Sequence, residues 1–153
     1  MKNIYIRILI VTFFVLIDLI SKYFSAGIDV TIIDGFLSLI YVTNEGAAWG
    51  MLEGHSIFLI LVGLIFIFGL SIFEYFEKDL STINTVAYSF IVAGAIGNLY
   101  DRIVFGYVRD FISLDFINFP VFNIADSILV IGVILFSINV LFIKKYAKGI
   151  PGD

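Results

Sequence analysis

Asp110 and Asp126 stand inside two dense polar signatures of a chain that is otherwise strongly apolar. The upstream signature runs from Gly94-Ala95-Ile96-Gly97-Asn98-Leu99-Tyr100-Asp101-Arg102 to Val108-Arg109-Asp110-Phe111, and the downstream one is Phe122-Asn123-Ile124-Ala125-Asp126-Ser127. Two carboxylates in one site can divide acid–base work, one staying protonated while the other activates water. In a membrane setting such groups stand out further, because an ionisable side chain at bilayer depth costs at least ~2.5–3.5 kcal/mol on insertion scales.

Other chemistries are poorly supplied. The chain has no cysteine, which removes disulfides, thiolate nucleophiles and cysteine metal sites, and its single histidine, His55, cannot build a histidine metal cluster. No metal or other cofactor is expected, and acid–base chemistry falls to Asp and Glu. The net charge of −4 comes without a basic stripe, so nucleic-acid binding has no electrostatic basis.

Each candidate has a plainer reading. Gly94, Gly97, Asn98 and Asp101 recur at three- and four-residue spacing and so share a helix face. The glycines alone suit a small-residue packing seam. Asn98, Asp101 and Arg102 need partners when desolvated, and for Arg102 a structural pairing with Asp101 or Asp126 is open. Asn123 suits a helix N-cap, and Asp126 in the first turn suits the helix dipole, readings compatible with a catalytic one. Asp18 and Lys22, at i and i+4, form an ion pair on one helix face. They would brace the carboxylate site if that helix end lies beside it. Asn44 is either a loop residue or a carboxamide that binds substrate backbone, and His55 reads as a surface residue.

The elements that must position these groups follow from hydropathy. With 61% hydrophobic and 14% charged residues, against about 25% charged in soluble domains, the chain reads as an integral membrane protein with one domain over 1–153. Apolar segments at about 5–24, 57–73, 83–99 and 127–143 approach the ~20 residues that span ~30 Å of hydrocarbon. A secretory leader is disfavoured for the first of them, because Asp18 and Lys22 interrupt what should be an uncharged run. Lys2 and Arg7 before the first segment, and Lys144, Lys145 and Lys148 after the last, place both termini in the cytoplasm. Lys78 adds weak support for the connection after the second segment. Between the first two segments, Asp34-Gly35 flanked by β-branched runs predicts a two-residue hairpin and a small extracytoplasmic sheet. The connection at 103–120 reads as an outer loop rich in interfacial aromatics.

At these residues the chain resembles the lipoprotein signal peptidases, the type II signal peptidase family of membrane aspartic peptidases. Asp18 with Ser21-Lys22 resembles the family's Asp-x-x-(Ser/Thr)-Lys element, and Asn44-Glu45-Gly46-Ala47-Ala48-Trp49-Gly50 its Asn-x-Gly-Ala-Ala-aromatic element. Residues 94–102, 108–111 and 122–127 resemble its remaining motifs, in order. The resemblance implies four transmembrane helices with an extracytoplasmic β-rich cradle in the bacterial cytoplasmic membrane. It makes Asp110 and Asp126 the catalytic pair and Asn44, Asn98, Arg102 and Asn123 substrate-positioning groups, with Asp18, Lys22 and Asp101 in support. It further implies cleavage of diacylglyceryl-modified prolipoproteins on the amino side of the lipidated cysteine, contact with membrane lipid, and inhibition by globomycin. Arg109 and Tyr100 depart from the family pattern, and a cation at 109 is expected to lower the pKa of the adjacent acid. A transmembrane proton or cation relay through Asp18, Asp101, Asp110 and Asp126 is the alternative from another class, though the second segment has no acid within 57–73 to continue it. A purely structural subunit is a third reading, but packing alone does not explain two Asn/Asp signatures.

Overall fold

The computed structural model of the chain describes residues 2–76 and 81–143. Among these, four helices are long and apolar enough to cross a membrane: Ile4–Phe24, Ser56–Phe76, Thr82–Phe105 and Ile124–Leu141. They belong to α1 (Lys2–Phe24), α2 (Ser56–Phe76), α3 (Thr82–Phe105) and α4 (Ile124–Ile138), the last continuing into a π-helical turn at Asn139–Ile143. Runs rich in Ile, Val and Phe would be mediocre helix formers in water. In hydrocarbon every backbone polar group must be satisfied within the segment, and the helix does that. Lys78, Lys144, Lys145 and Lys148 lie outside the described residues.

α3 is the core of the bundle, packing against the other three helices, whereas α2 contributes no buried residue. The α3–α4 seam is close because glycines stand where the backbones meet. A Cβ on Gly94 would run into the Ala125 carbonyl oxygen, and one on Gly132 would stand 2.8 Å from the Ala87 carbonyl oxygen. At one end of the seam, buried Asn139 donates to Asn84 Oδ1 at 2.7 Å. Arg7 on α1 pairs with Glu74 near the end of α2.

The expected end of the third helix near Leu99 falls short of the observed one. α3 runs on to Phe105 and stops at Gly106, whose φ of 86° suits glycine and whose N–H bonds the Arg102 carbonyl. Asp101 and Arg102 do not end the helix because both find partners on its polar face.

The outer connections form an antiparallel sheet of β1 (Asp29–Ile33), β2 (Leu37–Asn44) and β3 (Val108–Leu114), in that order. The hairpin loop holds three residues rather than two. Ile33 pairs with Leu37, and Gly35 takes φ 66°. A left-handed residue is what a three-residue loop requires, and it leaves Phe36 free to stack on Phe116 at 4.7 Å. β3 replaces the loop expected at 103–120. Its charges hid it, because Arg109 and Asp110 interrupt the apolar alternation by which a strand is recognised. β2 and β3 pair Asn44 with Val108 and Val42 with Asp110, which brings the Asn44 region beside the strand carrying Asp110.

Candidate active site

Asp110, Asp126, Asn44, Asn98 and Arg102 line one cavity of about 460 Å³, whose apolar side is formed by residues such as Trp49, Phe119, Val121, Val130 and Ile131. The two acids arrive on different elements, Asp110 from β3 and Asp126 from the first turn of α4. Asn123 lies behind them, fully buried. As the N-cap of α4 it accepts the Asp126 backbone N–H at 2.9 Å, while Asp126 Oδ2 accepts the Asn123 N–H at 3.2 Å, a reciprocal capping box.

Carboxamides supply most of the hydrogen bonds to the acids. Asn44 donates to Asp110 Oδ2 at 2.9 Å and Asn123 to Asp110 Oδ1 at 2.6 Å. Asn98 donates to Asp126 Oδ1 at 2.6 Å. The oxygen of each amide is engaged as well: Asn44 Oδ1 accepts the Gly46 N–H, Asn123 Oδ1 the Asp126 N–H, and Asn98 Oδ1 a bond from the Lys22 ammonium.

Asp110 is only 2% exposed. Burial pushes its carboxyl up to about 6, with the nearby Asp126 charge adding to the rise and the Asn44 and Asn123 hydrogen bonds opposing it. The expected lowering by Arg109 does not occur. Successive strand side chains point to opposite faces, so Arg109 turns away and binds Asp101 through Nη2 at 2.7 Å and Nε at 3.2 Å. Its guanidinium also covers the Phe105 ring.

Asp18, Lys22 and Asp101 lie fully buried and outside the cavity lining. Lys22 Nζ is 2.7 Å from Asp18 Oδ2 and 3.4 Å from Asp101 Oδ2, and Asp101 in turn holds Arg109, so charges of alternating sign run through the bundle. The other Asp18 oxygen accepts the Ala125 N–H at 2.8 Å, which satisfies an orphan donor at the start of α4. Gly97 leaves room for this group, since a Cβ there would stand 2.6 Å from Asp18 Oδ2.

Arg102 makes neither of the ion pairs considered from sequence. It donates to the Gly46 carbonyl oxygen at 2.9 Å, and so ties α3 to the loop after β2 while its side chain lines the cavity. Gly46 was invisible as a partner because it takes part through its carbonyl. Its buried backbone leaves no room for a side chain, a Cβ standing 2.6 Å from the Met51 carbonyl oxygen. The cavity-lining residues Phe119 and Val121 were not separable in the sequence from ordinary interfacial apolar residues, and Trp49 was legible only through its motif. His55 lies in an exposed turn, near the Glu53 carbonyl. Among the described residues no three His, Asp or Glu side chains converge as a metal cage would require.

The family model for signal peptidase (SPase) II matches residues 10–142. A lipoprotein signal peptidase of Enterococcus faecalis is 43% identical over 141 residues, covering 86% of this chain and 85% of the relative. One from Clostridium novyi is 38% identical over 143 residues, covering 88% and 97%. A solved bacterial membrane enzyme structure, determined by the in meso method, superposes with a TM-score of 0.89 at 37% identity, covering 98% of this chain and 94% of that one.

Proposed function

From the premise that this chain belongs to the signal peptidase II family, an aspartic peptidase family that removes signal peptides from lipoproteins, we propose that Asp110 and Asp126 are its catalytic pair. The observation that carries this reading is their convergence, from β3 and α4, on one cavity walled by carboxamides and Arg102. The proposed substrate is a diacylglyceryl-modified prolipoprotein, cut on the amino side of the lipidated cysteine. Its lipid and signal helix already lie in the bilayer, next to the apolar cavity wall on α4, where Val130 and Ile131 are also exposed at the bundle surface.

In the reactive form of the pair we assign the proton to Asp110, the more deeply buried acid, whose carboxyl burial pushes up to about 6, and the role of base to Asp126, in the first turn of α4 with the Asn98 N–H on its Oδ1. Asp126 takes a proton from water as the water oxygen bonds to the scissile carbonyl carbon, while Asp110 gives its proton to the carbonyl oxygen. The tetrahedral diol then collapses, its hydroxyl proton returning to Asp110 and the Asp126 proton passing to the leaving nitrogen as the C–N bond breaks. The products are a signal peptide with a new carboxyl group and a lipoprotein with a free amine on its lipidated cysteine. Asn44, Asn98, Arg102 and Asn123 position substrate and acids, and Asp18, Lys22 and Asp101 hold the helices that carry them.

The same reading takes residues 1–153 as one peptidase domain in the bacterial cytoplasmic membrane, with both termini cytoplasmic, the sheet and cavity on the outer side, and globomycin as an inhibitor. The test is to incubate the detergent-purified protein with a lipidated prolipoprotein and follow release of the signal peptide. Cleavage by the wild type that is lost in Asp110→Asn and in Asp126→Asn supports the pair, and undiminished cleavage by either variant refutes it.

A further inference from the structure

Lys22 touches neither aspartate of the proposed pair, yet it governs what one of them sees. Its side chain is fully buried, and its three N–H bonds have three oxygens in range: Asp18 Oδ2 at 2.7 Å, Asn98 Oδ1 at 3.0 Å and Asp101 Oδ2 at 3.4 Å. An ammonium can only donate, so whatever Asn98 turns toward Lys22 must be its oxygen. The remaining end of that carboxamide is then the NH₂ group, and it points at Asp126 Oδ1, 2.6 Å away.

We infer that Lys22 is a positioning residue that locks the Asn98 carboxamide in the one sense that presents an N–H to Asp126. Asn123 Nδ2 supports the same sense from the other side, at 3.0 Å from Asn98 Oδ1. Its two protons, however, are divided among three oxygens, those of Asn98, Asp110 and the Arg109 carbonyl. The charge-assisted bond from Lys22 is therefore the stronger constraint. With the amide reversed, Asn98 would set an oxygen against the Asp126 carboxylate and oppose its ionised form. The charged groups around Lys22 are Asp18 on its own helix, Asp101 on α3 with Arg109 of β3 behind it, and, beyond Asn98, Asp126 of α4 and Asp110 of β3.

The inference rests on the two-aspartate reading, and its test separates the two. Removing Lys22 alone would strand the buried Asp18 carboxylate, whereas Asp101 keeps Arg109, so the test variant is Asp18→Asn/Lys22→Met, which deletes one charge of each sign and keeps an acceptor oxygen for the Ala125 N–H. Asn98→Ala should lower kcat/KM by about 10–100-fold, the range for partners that orient a reactive group. The charge-balanced double variant should lower it comparably. Adding Asn98→Ala to that double variant should then cost no more than about twofold, because the amide it removes is no longer oriented. Losses that multiply would show that Lys22 acts by another route and overturn the inference.

If that double variant does not accumulate folded, Asp18→Asn/Lys22→Gln takes its place: it is also charge-balanced, but the new carboxamide can still donate to the Asn98 oxygen. Adding Asn98→Ala to it should then cost as much as it does in the wild type, and a cost within about twofold overturns the inference. Asp126→Asn is the control for the underlying reading. If that variant cleaves normally the aspartate pair is wrong, an outcome independent of whether Asn98 and Lys22 are coupled.

Discussion

Asn123 donates to Asp110 Oδ1 at 2.6 Å, and the same carboxamide accepts the backbone N–H of Asp126 at 2.9 Å. One helix cap thus sets the spacing between a strand acid and a helix acid. Capping side chains are worth about 1 kcal/mol to a helix; this one also registers β3 against α4, so that the two carboxylates face a common cavity.

Asp110→Asn and Asp126→Asn preserve size and most hydrogen bonding while removing the titrating group. Each should reduce cleavage of a lipidated prolipoprotein by at least roughly 10²–10⁴, the usual worth of general acid–base catalysis. Levels of folded protein should change little. Wild-type turnover should be unaffected by EDTA, and collapse with chelator followed by recovery with a divalent ion would contradict the proposed chemistry.

The raised pKa of Asp110 has a sign in both activity and stability. If its protonated form is the acid, kcat/KM should decline as pH rises through about 6, from the free-enzyme side. For stability, a carboxyl bound more tightly to its proton in the folded state contributes fully below the ordinary 3.8 and loses that contribution as pH rises through about 6. Asp110→Asn, which never ionises, should therefore gain thermal stability relative to wild type at pH 8 and lose most of that advantage at pH 4. The difference is bounded by about 3 kcal/mol from the size of the shift. Melting in detergent at the two pH values measures it, and an equal offset at both would contradict the shift.

Arg102→Lys should be damaging despite keeping the charge. The guanidinium donates to the Gly46 carbonyl from a side chain that lines the cavity, and an ammonium cannot reproduce its planar geometry. A loss of about tenfold or more in kcat/KM is expected. Asn44→Ala should likewise impair turnover by removing the donor to Asp110 Oδ2. Wild-type rates in both variants would remove these residues from the site.

Glycines at the helix seams should not accept even a methyl group. Gly97→Ala would press on Asp18 and Ala125, and Gly132→Ala on the backbone of Ala87 and Ile91. Overpacking of this kind costs about 1–3 kcal/mol. Gly69→Ala, where nothing lies within 4 Å, should be neutral or slightly stabilising through helix propensity, by up to about 1 kcal/mol. Thermal melts of the three variants test the contrast.

Reporter fusions test the orientation. A phosphatase joined after Asp153 should be inactive and one inserted at the Asp34-Gly35 turn active, if both termini are cytoplasmic and the sheet lies outside. The reverse pattern would invert the topology.

The membrane character, the four helices and the glycine seam were legible in the sequence because each depends on local composition or on 3.6-residue periodicity. The Asp18–Lys22 pair and the Asn123 cap were legible for the same reason, their partners lying within four residues. Tertiary structure decided what distant segments do to one another. It turned the connection carrying Asp110 into a strand paired with the Asn44 strand, sent Arg109 to Asp101 and away from the neighbouring acid, and gave Arg102 a backbone carbonyl at Gly46 as its partner. The orientation of Asn98 is of this kind as well. A carboxamide has a donor end and an acceptor end, and only the simultaneous approach of Lys22 and Asp126, from two other helices, selects between them.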